Sequence, residues 1–124
     1  MNMLEEYLQN VNDMKMPLDD YGNQSSVRKH NRLADKNRKI ASLIDKKYPE
    51  MKGRFICLLS SEDEDVRLWV AHHALEVMHF SPEDRQKALQ VIKDAADHSQ
   101  NEVVQYGNKL WLENFFKVHP KEQL

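Results

Sequence analysis

One helical phrase is spelled twice in this chain. Val66-Arg67-Leu68-Trp69-Val70 and Val103-Val104-Gln105-Tyr106-Gly107 lie 37 residues apart, with valine, an aromatic ring and a small residue at equivalent places. Self-similarity at such a period marks stacked helical hairpins, because no hairpin buries its apolar face alone and neighbours must stack. The expected architecture is therefore all-α, about six helices in stacked hairpins, with long outer and concave surfaces that bind other macromolecules.

Helical spacing recurs along the whole chain, glycine occurs only three times, and no alternating β-branched run reaches strand length. A first helix over about 3–15 carries Leu4, Tyr7, Leu8, Val11 and Met14 on one stripe and gives way to a polar connection before Pro17, with Asp19, Asp20 and Gly22. A second helix opens at Ser25 or Ser26 and runs to the Tyr48-Pro49 stop. Its apolar stripe holds Val27, Ala34, Ile40, Ala41, Ile44 and Tyr48, with His30 and Asn37 at the centre. A third helix is expected over 50–60, and a fourth over 65–79 with an apolar surface wide enough for packing on two sides. Ser81-Pro82-Glu83-Asp84 combines a cap, a first-turn proline and acids that complement the helix dipole, so it starts a fifth helix running to about 98. A sixth over 101–118 is expected to bury Val103, Val104, Gly107, Leu110, Trp111 and Phe115, with Gly107 at a close helix contact.

These elements make residues 1–124 one domain: a capping helix and connection over 1–23, the stacked hairpins over 24–118 and a tail over 119–124. A chain of this size buries enough surface to fold without disulfide or metal. The lone Cys57, within the apolar run Phe55-Ile56-Cys57-Leu58-Leu59, reads as a buried thiol in a reducing compartment. No basic-then-apolar leader and no spanning apolar stretch is present, so a cytoplasmic protein is expected, with no membrane partner.

Asp65-Val66-Arg67, followed by the small residues Val70, Ala71 and Ala74, is similar to HEAT-type repeats. The run Ser26-Val27-Arg28-Lys29-His30-Asn31-Arg32-Leu33-Ala34-Asp35, with Val66-Arg67-Leu68-Trp69-Val70-Ala71-His72-His73-Ala74-Leu75, resembles a small bacterial all-helical family of unknown function built from HEAT-like hairpins. The resemblance covers about residues 24–115. It implies a fold and carries no catalytic residues across. Some small helical proteins of this kind look like immunity proteins, which neutralise a toxin encoded beside them; that step is analogy, since fold does not determine function.

Charge is polarised. The total is −2, yet residues 24–59 carry ten basic side chains against three acidic, and 60–102 the reverse, ten acidic against four basic. The acidic run Glu62, Asp63, Glu64 and Asp65, beside Trp69, His72 and Glu76, resembles what an inhibitor offers a basic nuclease-type toxin: carboxylates in place of the substrate's phosphates. Its plainer reading is a solvated, helix-capping turn. The alternative partner surface is the basic face of the second helix, Arg28, Arg32, Lys39 and Lys46, which spans about 27 Å, enough for several phosphates of a nucleic acid. No aromatic residue interleaves with those charges, and helix-long lysine faces are usually only solvated.

Enzymatic chemistry finds little support. The serines sit at caps, the acids cluster in one loop, and no glycine-rich phosphate loop precedes a helix, so no catalytic residue, cofactor or small-molecule substrate is expected. His72 and Glu76 share a helix face, but His79 lies two turns on, roughly 10 Å away, so a metal site is not expected either. His30 and Asn37 read as core polar groups satisfied by a neighbouring helix, and Arg67 as an ion-pair partner of Asp63 or Asp65. The expectation is a non-enzymatic protein-binding module, an immunity-type inhibitor of a bacterial toxin, with a nucleic-acid-associated helical module as the alternative.

Overall fold

The computed structural model describes residues 2–15 and 22–123. Among these the protein is all-α, with helices α1 (Met3–Asp13), α2 (Gln24–Lys47), α3 (Lys52–Cys57), α4 (Glu64–Glu76), α5 (Pro82–His98) and α6 (Glu102–Val118). The polar connection expected at Pro17, Asp19 and Asp20 lies outside the described residues.

The helix starts follow local chemistry. Asn2, Asn23, Asp63, Ser81 and Asn101 each turn a side-chain oxygen onto free amides of the first turn, satisfying donors that have no partner within the helix. The cap of α2 is thus Asn23 and not Ser25 or Ser26, whose amides it receives. The third predicted helix is one α-helical segment between two tight 3₁₀ turns, Pro49–Met51 and Leu58–Ser60. Pro49 cannot extend the ladder of α2, and the chain re-enters helix through the tighter turn. Phe55 and Leu59, one turn apart, are the inward residues of this stretch; Cys57 lies half a turn away and is exposed, against the expectation of a buried thiol.

α4 is the central element. Val66, Leu68, Val70, Ala71, His73, Ala74 and Leu75 are all buried, and the helix packs against α1, α2, α3 and α5. It ends at Glu76, so His79 belongs to the following loop and not to the helix as expected. α5 lies between α4 and α6 and buries Ala88, Leu89, Ile92, Ala95 and Ala96 as its periodicity predicts. The core joins these to Tyr7 and Val11 of α1, Ile40, Ala41 and Ile44 of α2, and Phe55.

The equivalence between the two copies of the phrase fails in three dimensions. Val66 and Val70 are buried, whereas Val103 is 77% exposed and a Cβ on Gly107 would meet nothing within 4 Å. Leu110 is exposed as well. Val104, Trp111 and Phe115 face inward as expected, joined by Asn108, Leu112 and Phe116, so the inward face is rotated by roughly 80° from the predicted one. The large rings decide it. Trp111 stacks on Phe115 at 4.7 Å between centroids, and their burial outweighs that of Val103 and Leu110. Gly107 is therefore not at a packed contact within the chain.

The residues after α6 form a short 3₁₀ segment, Pro120–Gln123, that is clamped to the body. Arg85 donates through Nη2 and Nε to the two carboxylate oxygens of Glu122, at 2.7 and 3.0 Å, in a bidentate pair.

A cleft between three helices

α2, α4 and α6 enclose a cleft of about 470 Å³. α2 supplies Ala34, Asp35 and Arg38; α4 supplies Asp65, Leu68, Trp69, His72, His73 and Glu76; α6 supplies Val104 and Asn108. Four of the seven residues singled out in the sequence for partner binding, Asp65, Trp69, His72 and Glu76, thus line one concavity. Their i, i+4, i+7 and i+11 relation brings them to one strip of α4, and the longer α2 forms the opposite wall.

The other three stand apart. Asp63 caps α4 through Asp65 N at 2.9 Å, and Lys15 bridges Asp63 and Asp65 at 2.9 and 3.1 Å. Glu64 accepts the Ser99 hydroxyl at 2.9 Å, tying the start of α4 to the end of α5. Glu62 alone of the run is exposed. Most of the acidic loop is therefore occupied with capping and with Lys15. Arg67 does not pair with Asp63 or Asp65 as expected; its Nη1 donates to the Ser61 carbonyl at 2.8 Å and so braces the same turn.

Within the cleft the polar groups are held in place by one another. Glu76 accepts the Trp111 indole N–H at 2.7 Å and pairs with Arg38 at 3.5 Å. His72 donates from Nε2 to Asn108 Oδ1 at 2.9 Å, while Asn108 donates its amide to the Val104 carbonyl at 2.8 Å. Burial pushes the His72 pKa down, against the opposing pull of Asn108 and Glu76. His72 is consequently neutral at neutral pH, with its Nδ1 lone pair 3.9 Å from Glu76. Trp69 is half-buried, its ring between His30 and His73 at centroid distances of 6.0 and 5.7 Å, so it forms wall and not a protruding knob.

Behind this wall lies a buried polar set that the sequence did not single out as a group. The Tyr7 hydroxyl and His73 Nδ1 share a hydrogen bond at 2.6 Å. Asn10 donates to Asn37 Oδ1 at 2.9 Å, and Asn37 donates to the Tyr7 carbonyl at 3.1 Å. Asn37 is indeed a core amide satisfied by a neighbouring helix; His30 is half-buried, with Nδ1 3.4 Å from the Met14 carbonyl. Burial, then Arg38 and His72, lower the His73 pKa to about 4, and burial raises that of Tyr7 well above its usual value. The helical spacing of Tyr7 and Asn10 marks an inward face; which polar partners they meet, 66 and 27 residues away, is written nowhere locally.

His79, the third member of the histidine strip, is turned elsewhere. Its ring and amide both engage Asp45, at 2.8 and 2.9 Å, and Lys52 completes the cluster at 2.9 Å from Asp45. Burial alone would raise the Asp45 carboxyl, but the bonds from His79 and Lys52 outweigh it and hold its pKa at about 2. Among the described residues, no group of three or more histidine, cysteine, aspartate or glutamate side chains is placed to hold a metal ion. None of the described helices is long and apolar enough to cross a membrane. The basic residues Arg28, Arg32, Lys39 and Lys46 all lie on the exposed face of α2.

Comparison with family models, with curated proteins and with solved structures gave no match.

Proposed function

We propose that the protein is a non-enzymatic protein-binding module, an immunity-type inhibitor whose α2–α4–α6 cleft receives a cationic side chain from a basic toxin. The observation that carries this reading is the content of the cleft: three carboxylates, Asp35, Asp65 and Glu76, against the Arg38 guanidinium and the Lys15 ammonium that pairs with Asp65, with the Trp69 ring and a neutral His72 between them. An arginine or lysine entering there meets acceptors for its N–H groups and an aromatic surface for its stem. Carboxylates that remain solvated, Asp35 on the rim and Glu62 beyond it, speed the encounter, while the enclosed contacts slow departure.

A second reading rests on the basic face. Arg28, Arg32, Lys39 and Lys46 are exposed, and none is within ion-pair distance of a described carboxylate, which suits phosphate binding. One comparison separates the two. In cells producing a candidate toxin encoded beside this protein, the Asp35→Lys/Asp65→Lys variant is expected to lose protection, whereas Arg28→Glu/Arg32→Glu/Lys39→Glu keeps it. The opposite outcome assigns the poles backwards and removes the cationic-pocket reading. Tight, steeply salt-dependent binding of the purified protein to duplex DNA would instead support the nucleic-acid alternative.

A further inference from the structure

The face that α6 leaves uncovered is the counterpart of the face that α4 buries. Val66, Trp69, Val70 and His73 of α4 correspond, at the 37-residue offset, to Val103, Tyr106, Gly107 and Leu110 of α6. In α4 this face is covered by helices: His73 bonds Tyr7 of α1, and Trp69 packs on His30 of α2. In α6 it is open. Val103, Tyr106 and Leu110 are 77%, 66% and 41% exposed, and nothing approaches the Gly107 position within 4 Å. Among the described residues, α6 packs chiefly on α5 and on the short segment that follows it. No helix among the described residues covers this apolar strip of helix-accepting composition.

We propose that a second copy of this chain covers the strip, through an antiparallel α6–α6 pair about a two-fold axis between Tyr106 and Gly107. The strip is complementary to itself in that arrangement and in shape as well as charge. Tyr106 comes to lie over Gly107 of the partner subunit, where the missing Cβ leaves room for the ring, and Val103 meets Leu110 of the partner subunit. Glu102 and Lys109, seven residues apart, flank the strip on the same side. Two-fold pairing sets Glu102 opposite Lys109 of the partner subunit, and Lys109 opposite Glu102 of the partner subunit, within about 3 Å of the same height along the axis. Two ion pairs of opposite sign therefore frame the apolar centre. The inward residues Val104, Asn108 and Trp111 point a third of a turn away, so the pair leaves the packing of each copy unchanged. A strip of this size makes a small interface and a weak, concentration-dependent dimer.

Sedimentation velocity of the full chain across a concentration series tests this. The mass is expected to rise from one chain toward two with a dissociation constant on the order of 100 μM or tighter. Gly107→Gln, whose Cβ meets nothing within 4 Å among the described residues, is expected to raise that constant at least tenfold while circular dichroism stays the same. Glu102→Lys and Lys109→Glu are each expected to weaken association severalfold, and the double exchange to restore it. A chain that stays monomeric up to about 500 μM overturns the proposal, since that exceeds the expected constant. Association indifferent to Gly107→Gln, or a double exchange as weak as the single ones, does so equally. If the wild-type chain is monomeric but the strip protects a helix of another protein, the occupant is foreign and the two-fold pair is refuted.

Discussion

Acidification is expected to weaken this protein well before its carboxylates titrate, and the cause is His73. The ring is 3% exposed, and its Nδ1 shares a 2.6 Å hydrogen bond with the Tyr7 hydroxyl, which burial keeps protonated. Protonation would place a charge in the core, beside Arg38 and His72. The pKa falls to about 4 in the folded protein, from the 6.5 of a free histidine. Between those two values the unfolded chain holds the proton that the folded one refuses, so stability is complete above the unfolded value and falls as pH drops toward the folded one. The full loss is about 3 kcal/mol, of which about 2 kcal/mol is already gone at pH 5. For a domain of this size that lowers the melting temperature by roughly 7 °C. His72, shifted the same way by burial, adds to the loss. Urea unfolding followed by circular dichroism at pH 7, 6 and 5 measures it directly. The control is Tyr7→Phe/His73→Leu, which removes both polar partners and leaves no orphan, so the pH-dependent loss shrinks by about 2 kcal/mol at pH 5. A midpoint that does not move between pH 7 and 5, or a double variant with the wild-type pH dependence, refutes the reasoning.

Three further outcomes follow from the geometry. Asp45, whose side chain is 5% exposed, has its pKa depressed to about 2, so its contribution is present above the ordinary carboxylate value and lost as pH falls below it; Asp45→Asn is expected to cost about 2 kcal/mol at neutral pH and to flatten the acid limb of the stability curve below pH 4. Gly107→Ala, measured at low protein concentration, is expected to stabilise by up to about 1 kcal/mol, because the helix gains propensity and the added methyl meets nothing; a lower melting temperature would show a contact there after all. Arg85→Ala is expected to cost about 1–2 kcal/mol and to expose the peptide bond region around Lys121 to trypsin, since the bidentate pair with Glu122 holds the last turn down; unchanged cleavage would show the segment is held otherwise.

Where the sequence spoke clearly, it spoke through local chemistry. Ser81-Pro82 and the acids before Val66 marked helix starts because a cap acts on amides two or three residues away. The inward face of α5 was legible because its apolar residues form a single narrow stripe. α6 was half legible: Val104, Trp111 and Phe115 face inward as expected, but it has a second apolar stripe, Val103-Tyr106-Leu110, and periodicity alone does not say which one meets a neighbour. The cleft was half legible. Trp69, His72 and Glu76 fall on one strip of α4 by spacing, but Asp35, Arg38 and Asn108 reach it from other helices, and long-range contact leaves no local trace. The same holds for the loop acids. Their capping role was visible, whereas Lys15, 48 residues before its partner Asp63, was not.

The Tyr7, Asn10, Asn37 and His73 set gives α1 an address and not merely an affinity. An apolar helix can slide one turn along an apolar groove at small cost, because the contacts after the slide resemble those before it. α1 has no such freedom. Displaced by a turn, it would leave the Asn37 amide and the His73 ring buried without partners, at about 1–3 kcal/mol for each orphaned group, enough to depopulate every misaligned arrangement. A variant in which all four residues become apolar could thus melt at a higher temperature and still be the poorer protein, its first helix distributed over several positions behind the Trp69 wall.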